Sequence, residues 1–96
     1  MKTVRRKPLL RRVVGESMLP TYRPGQVVVI RRVADVNVGD VVMFRHNDLE
    51  KIKRVARAEP GRLYLLGDNP QASTDSRNFG WVGTENLIGK VVWPKH

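Results

Sequence analysis

Three stretches of this chain carry side chains able to do chemistry. The first is Gly15-Glu16-Ser17-Met18-Leu19-Pro20-Thr21. Pro20 cannot continue a helix and restricts the residue before it, so the run reads as a bend with the Ser17 hydroxyl accessible. Gly15 and Met18 shape the bend on either side of the serine. A serine in a turn often does no more than bond to nearby backbone. To act as a nucleophile it needs a base. The chain has two histidines, His46 and His96. His46 falls at an expected turn beside Asn47 and Asp48, where a surface histidine is common, and His96 is the last residue. A Ser-His-Asp triad is therefore disfavoured.

Lysine is the other available base, provided its amine is neutral. Burial in an apolar pocket disfavours the charged form and lowers the pKa. The second stretch, Lys53-Arg54-Val55, offers such a lysine within an expected strand. Strand alternation puts Lys51, Lys53 and Val55 on one face. The pattern alone does not say which lysine is buried, and composition alone would leave both in solvent. The third stretch runs from Gly67-Asp68-Asn69 to Ser73-Thr74-Asp75-Ser76-Arg77 and has the composition of an ordered polar loop.

The elements that must hold these residues are mostly strands. Short β-rich runs bounded by Gly, Pro, Asn and Asp recur along the chain, and helical periodicity is scarce. Strands are expected at residues 9–14, 26–33, 41–46, 49–58, 62–66 and 88–93. Turns fall at 22–25, 37–40, 46–48 and 59–61. Residues 67–80 form the polar loop, and residues 84–87 a single helical turn capped by Thr84. The fold class is mainly β: a small, coiled antiparallel β-barrel or sandwich with at most a short helical turn.

Ninety-six residues suit one domain. The expected division is a basic arm over residues 1–8 and a single domain over residues 9–96. Apolar content of 41% and charged content of 28% place the chain among ordinary globular proteins. The absence of Cys excludes a thiol nucleophile, disulfides and thiolate metal ligands. The net charge of +9 is concentrated at the start, where Lys2, Arg5, Arg6, Lys7, Arg11 and Arg12 occur without an acid. Such an arm could meet nucleic acid or an anionic membrane surface. The ordinary reading is a solvated tail. A nucleic-acid module would spread aromatics through its basic surface. Here Tyr22, Phe44, Tyr64, Phe79, Trp81 and Trp93 are scattered and mostly sit where core packing explains them, so no nucleic acid is expected. No apolar run approaches the roughly 18 residues that cross a bilayer, which points to a soluble, cytoplasmic protein.

In order, residues 15–21, Gly39-Asp40-Val41-Val42, Lys53-Arg54-Val55, and Gly67-Asp68-Asn69 through Asp75-Ser76-Arg77 to Gly80 resemble the boxes of the type I signal peptidases. The resemblance spans roughly residues 9–93. It implies the β-rich catalytic core of that family and a serine–lysine dyad. Ser17 matches the nucleophile and Lys53 the general base. Ser73 matches the serine that orients the lysine. Asp68 with Arg54, and Asp75 with Arg77, match structural ion pairs. In the family the nucleophile's own N–H helps to stabilise the oxyanion. A second donor often comes from a hydroxyl two residues earlier, and that position is Gly15 here. No cofactor and no metal are implied.

The chain departs from the ordinary signal peptidase in three ways. It shows no anchor. Only 13 residues separate Lys53 from Gly67, too few for a second β-domain. Pro70 stands where signal peptidases often carry Arg. With these features the chain resembles most the nickel-type superoxide dismutase maturation proteases. That implies a protein partner, a dismutase precursor whose N-terminal leader is removed. The alternatives are a signal peptidase acting on secreted preproteins, brought to the membrane by the basic arm, and a non-enzymatic basic β-module. The self-cleaving repressors, a related serine–lysine family, carry a helical DNA-binding domain for which residues 1–14 are too short.

Overall fold

The computed structural model describes residues 6–95. The basic arm expected over residues 1–8 therefore lies mostly outside the described residues, as does His96. Among the described residues, seven strands form one antiparallel sheet: β1 (Leu9–Arg12), β2 (Val27–Arg31), β3 (Val41–His46), β4 (Leu49–Glu59), β5 (Arg62–Leu66), β6 (Val82–Gly83) and β7 (Leu87–Trp93). Their order across the sheet is β1-β2-β7-β3-β4-β5-β6. The mainly β, antiparallel fold expected from the sequence is the one observed.

The sheet carries a hydrophobic cluster on each face. One gathers Val13, Met18, Tyr22, Val28, Ile30, Val41, Met43 and Val91. The other gathers Val42, Phe44, Val55, Leu63, Leu65 and Val82. Alternation along β3 explains why both exist. Val41 and Met43 point into the first cluster, Val42 and Phe44 into the second, and all four are buried. β3 is thus apolar on both sides, as a strand at the centre of a small coiled sheet must be.

Several expected boundaries move. The first strand ends at Arg12, although Val13 continues the ladder: its N–H donates to the Gln26 carbonyl, and its own carbonyl accepts from the Gly25 N–H. β6 was not expected, because two residues show no periodicity. The polar loop holds a 3-10 turn at Pro70–Ala72 and one α-helical turn, α1 (Ser76–Phe79). Asp75 caps α1 by accepting from the Arg77 N–H, and the Asn78 side chain accepts from the Asp75 N–H in return. The turn expected near residue 84 is a 3-10 turn, Thr84–Asn86. Its capping position is Gly83 and there is no side-chain cap, so the capping role expected of Thr84 does not hold.

Two backbone edges are left open where they matter. Among the described residues, β1 pairs with β2 alone. β4 pairs with β3 along residues 49–54, but β5 joins it only from Arg54 onward. The outer edge of β1 and the first half of β4 therefore face each other across a cleft of about 550 Å³.

Candidate active site

Ser17 stands at one end of that cleft. Past Val13 the chain leaves the sheet at Gly15, whose φ of +78° is costly for any residue with a Cβ. The turn is then pinned from below. Met18 is buried in the first cluster, and the Tyr22 N–H donates to the Met18 carbonyl at 3.0 Å. Tyr22 is itself buried, and its hydroxyl donates to the Pro94 carbonyl at 2.8 Å. Burial pushes the Tyr22 pKa up to about 12, so this donor stays protonated. Between exposed Glu16 and buried Met18, Ser17 is half-buried and held in place.

The structure separates the two lysines that strand alternation leaves equivalent. Lys53 is only 6% exposed, and its Nζ donates to Ser17 Oγ at 2.8 Å. Lys51 lies further out, its Nζ 5.1 Å from the centre of the Phe79 ring. Burial lowers the Lys53 pKa, and the charge on Lys51 lowers it further; Asp75 pulls the other way without reversing the shift. His46 makes no hydrogen bond to Ser17. Its ring stacks on Phe79 with centroids 4.1 Å apart.

The polar loop braces both residues. Arg54 grips Asp68 through two bonds, Nε to Oδ1 at 2.9 Å and Nη2 to Oδ2 at 2.8 Å. Its Nη1 also donates to the Gly39 carbonyl at 2.6 Å. Thr21 Oγ1 donates to Asp68 Oδ2, which ties the loop to the end of the serine turn. Asn69 does the same nearer the hydroxyl: its N–H donates to the Ser17 carbonyl at 2.8 Å and its Nδ2 to the Glu16 carbonyl at 3.1 Å. Thr21 and Asn69 lie inside the recognised stretches, yet nothing in a sequence states whose carbonyl they meet. Arg11 and Glu50, which join across the cleft at 2.8 Å, carried no sequence signal at all.

Asp75 is fully buried and accepts five hydrogen bonds. They come from the Gly67 N–H, the Ser73 hydroxyl, the Arg77 N–H, and Arg77 Nε and Nη2. Burial alone would raise its pKa. The bonds from Arg77, Ser73 and the two backbone N–H groups outweigh that and hold it well below the usual carboxylate range. Ser73 is placed differently from the sequence expectation. Its Oγ donates to Asp75 Oδ2 at 2.6 Å, and no hydrogen bond joins it to Lys53. A hydroxyl has one proton to give, and a carboxylate is the stronger acceptor.

Gly67 marks the tightest point. A Cβ there would lie 2.2 Å from Ser73 Oγ and 2.8 Å from the Ser17 carbonyl oxygen. Gly67→Ala is expected to destabilise the protein by about 1–3 kcal/mol through overpacking. By shifting the serine turn it is also expected to disturb the bond between Lys53 Nζ and Ser17 Oγ. Thermal melts check the loss of stability.

Among the described residues there is no cluster of three or more His, Asp or Glu arranged to hold a metal ion. None of the described helices is long and apolar enough to cross a membrane.

Comparison with known proteins places the chain in a family. The chain is 43% identical over 49 residues to a signal peptidase I of Bacillus caldolyticus, covering 48% of this chain and 27% of that protein. It is 36% identical over 55 residues to signal peptidase IB of Staphylococcus aureus strain Mu50, covering 53% and 29% respectively. The chain thus spans less than a third of the length of these relatives. A family profile described as Peptidase S24-like matches residues 3–92, nearly the whole sequence. On that match, the chain belongs to the Peptidase S24-like family.

Proposed function

We propose that this protein is a serine endopeptidase in which Ser17 is the nucleophile and Lys53 the general base. The observation that carries the reading is the 2.8 Å bond between Ser17 Oγ and the Nζ of a lysine that is almost wholly buried. Ser17 Oγ attacks the scissile carbonyl as Lys53 takes its proton. The tetrahedral oxyanion is met by the Ser17 N–H. The intermediate collapses, the C–N bond breaks, and Lys53 returns the proton to the leaving amine. Water, deprotonated by Lys53, then cleaves the acyl ester and frees Ser17. The cleft suits an extended substrate. A single strand laid between the open edges of β1 and β4 finds backbone partners on both sides, and Met18, Met43 and Ile52 offer it an apolar floor.

The charge state of Lys53 sets the pH dependence. Its pKa lies below the ordinary 10.5, so the neutral, active form appears at lower pH than for a free lysine. kcat/KM is expected to rise with pH along a single ionisation below 10.5 and then to level off. A rate independent of pH across that range would remove Lys53 from the base role.

For the substrate, we propose a precursor protein from which an N-terminal leader is removed. A nickel superoxide dismutase precursor is what the resemblance to the dismutase maturation proteases implies. That resemblance rests on the Asn69-Pro70-Gln71-Ala72-Ser73-Thr74-Asp75-Ser76-Arg77 loop and on the short β4–β5 hairpin, which has no domain inserted in it. A second reading, action on secreted preproteins, is favoured by the likeness to the two signal peptidases. Intact-mass spectrometry after incubation with each precursor, using the parent protein and Ser17→Ala, tests both. Leader loss from the dismutase precursor with the parent only would support the maturation reading. Leader loss from a signal-bearing preprotein only would replace it with the second.

A further inference from the structure

The cleft carries charge that the hydrolytic steps do not use. Arg11 on β1 and Glu50 on β4 reach across it, Nε to Oε1 at 2.8 Å and Nη2 to Oε2 at 3.4 Å. They belong to the two facing edges that lack strand partners, so the ion pair bars the slot an extended substrate would enter. Leu9 and Val13, which alternate with Arg11, pack in the first cluster, as does Ile52, two residues from Glu50. Both charged side chains therefore lie on the inner side of the slot.

The pair is built unevenly. Glu50 has a second cation, Arg45, at 3.8 Å. Among the described residues, Arg11 has one further bond, to the Leu10 carbonyl. A substrate carboxylate that takes Arg11 leaves Glu50 still facing an arginine. A substrate cation that takes Glu50 leaves Arg11 with no carboxylate among the described residues. The surroundings act in the same direction. Arg12 and Lys51 also line the cleft, against a single further acid, Glu16. The field inside favours an anionic guest.

We propose that Arg11 reads an acidic side chain of the extended substrate, exchanging Glu50 for the substrate carboxylate on binding. This rests on the reading of the cleft as a peptidase substrate slot. Glu50 lies three residues before Lys53 along β4. At about 3.3 Å per residue that is about 10 Å, so the acidic residue sits about three positions from the scissile bond, facing inward.

The test uses binding rather than turnover. Fluorescein-labelled alanine–serine peptides of about twelve residues, with one Glu, Gln or Lys moved through each position, are titrated onto the Ser17→Ala protein by anisotropy. At one position the Glu peptide is expected to bind about fivefold tighter than the Gln peptide, the scale of a partly exposed ion pair, and the Lys peptide more weakly than either. Adding Arg11→Gln should erase the difference. Adding Glu50→Gln should strengthen binding of the Glu peptide, because Arg11 is no longer held. A pair that only braced the strands would instead weaken all three peptides alike. Equal affinities at every position, a preference for Lys, or a Glu preference that survives Arg11→Gln would overturn the proposal. A Glu preference in a protein whose parent cleaves neither precursor nor the tightly bound Glu peptide would sink the peptidase reading and leave the recognition standing. Cleavage by the parent with equal affinities would sink the recognition alone.

Discussion

Lys53→Met is expected to abolish peptide cleavage and at the same time to raise the melting temperature. The two effects share one cause. Burial makes the charged amine costly, which is why the Lys53 pKa is lowered. In the folded protein below pH 10.5, the lysine must either give up its proton or keep a poorly solvated charge. By linkage, a group with a depressed folded pKa that is cationic when protonated binds more protons in the unfolded chain, so its burden on stability grows as pH falls below 10.5. Methionine fills nearly the same space without a charge. The rate loss should be about a thousandfold or more, because Ser17 then has no base within hydrogen-bonding distance. Thermal melts at two pH values and single-turnover assays measure the pair of effects. A variant that keeps parental activity would remove Lys53 from the mechanism. One that is less stable than the parent at neutral pH would show that the amine is not costly to bury.

Asp75→Ala should have the largest effect on stability. Five donors converge on its carboxylate, and the buried Gly67 N–H and the half-buried Ser73 hydroxyl would be left without that acceptor. Each stranded donor costs about 1–3 kcal/mol, so a total of about 3 kcal/mol is expected. For a domain of this size that lowers the melting temperature by roughly 12–24 °C. Asp75→Asn should be no rescue, because it presents an N–H₂ to a site that contains only donors. The folded pKa of Asp75 is depressed. Its contribution is therefore complete above the ordinary carboxylate value of 3.8 and is lost only as pH falls through the lower folded value. The parent should hold its stability down to about pH 4 and lose it in stronger acid. Asp75→Ala should lose the part of that acid response that Asp75 supplies. Melting temperatures between pH 2 and 7 provide the comparison.

The strands were legible as short apolar runs between turn residues. By alternation, Leu63 and Leu65 in β5 announce which face is buried, but the unbroken run Val27–Ile30 in β2 reads as buried throughout, whereas only Val28 and Ile30 are fully buried and Val27 is exposed. The same rule failed for the lysine, since Lys51 and Lys53 share a face. What separates them is position along β4. Lys53 comes to lie beneath the serine turn, whereas Lys51 sits further out beside Phe79. That contact joins segments 36 residues apart, which periodicity does not sense. The loop was recognised as a block through its resemblance, but its wiring was not. Ser73 was expected on Lys53 and bonds to Asp75 instead, because its one proton goes to the carboxylate, the stronger acceptor. Arg11 and Glu50 look like ordinary surface charges until the two open edges bring them together.

Those open edges have a consequence for how the molecule behaves in a crowd. A slot shaped for one strand does not ask whose strand it is, and a second copy's β1 would offer the same backbone pattern as a substrate. What opposes such pairing is the charge on the edge. Apposing two β1 strands would bring together Arg11 and Arg12 from each copy, on chains that each carry +9. This repulsion reaches about 10 Å at 0.1 M salt and about 3 Å at 1 M. The colloidal stability of the protein is therefore tied to ionic strength through the surface that takes its substrate. High salt, which steadies many proteins, removes from this one its guard against edge-to-edge association.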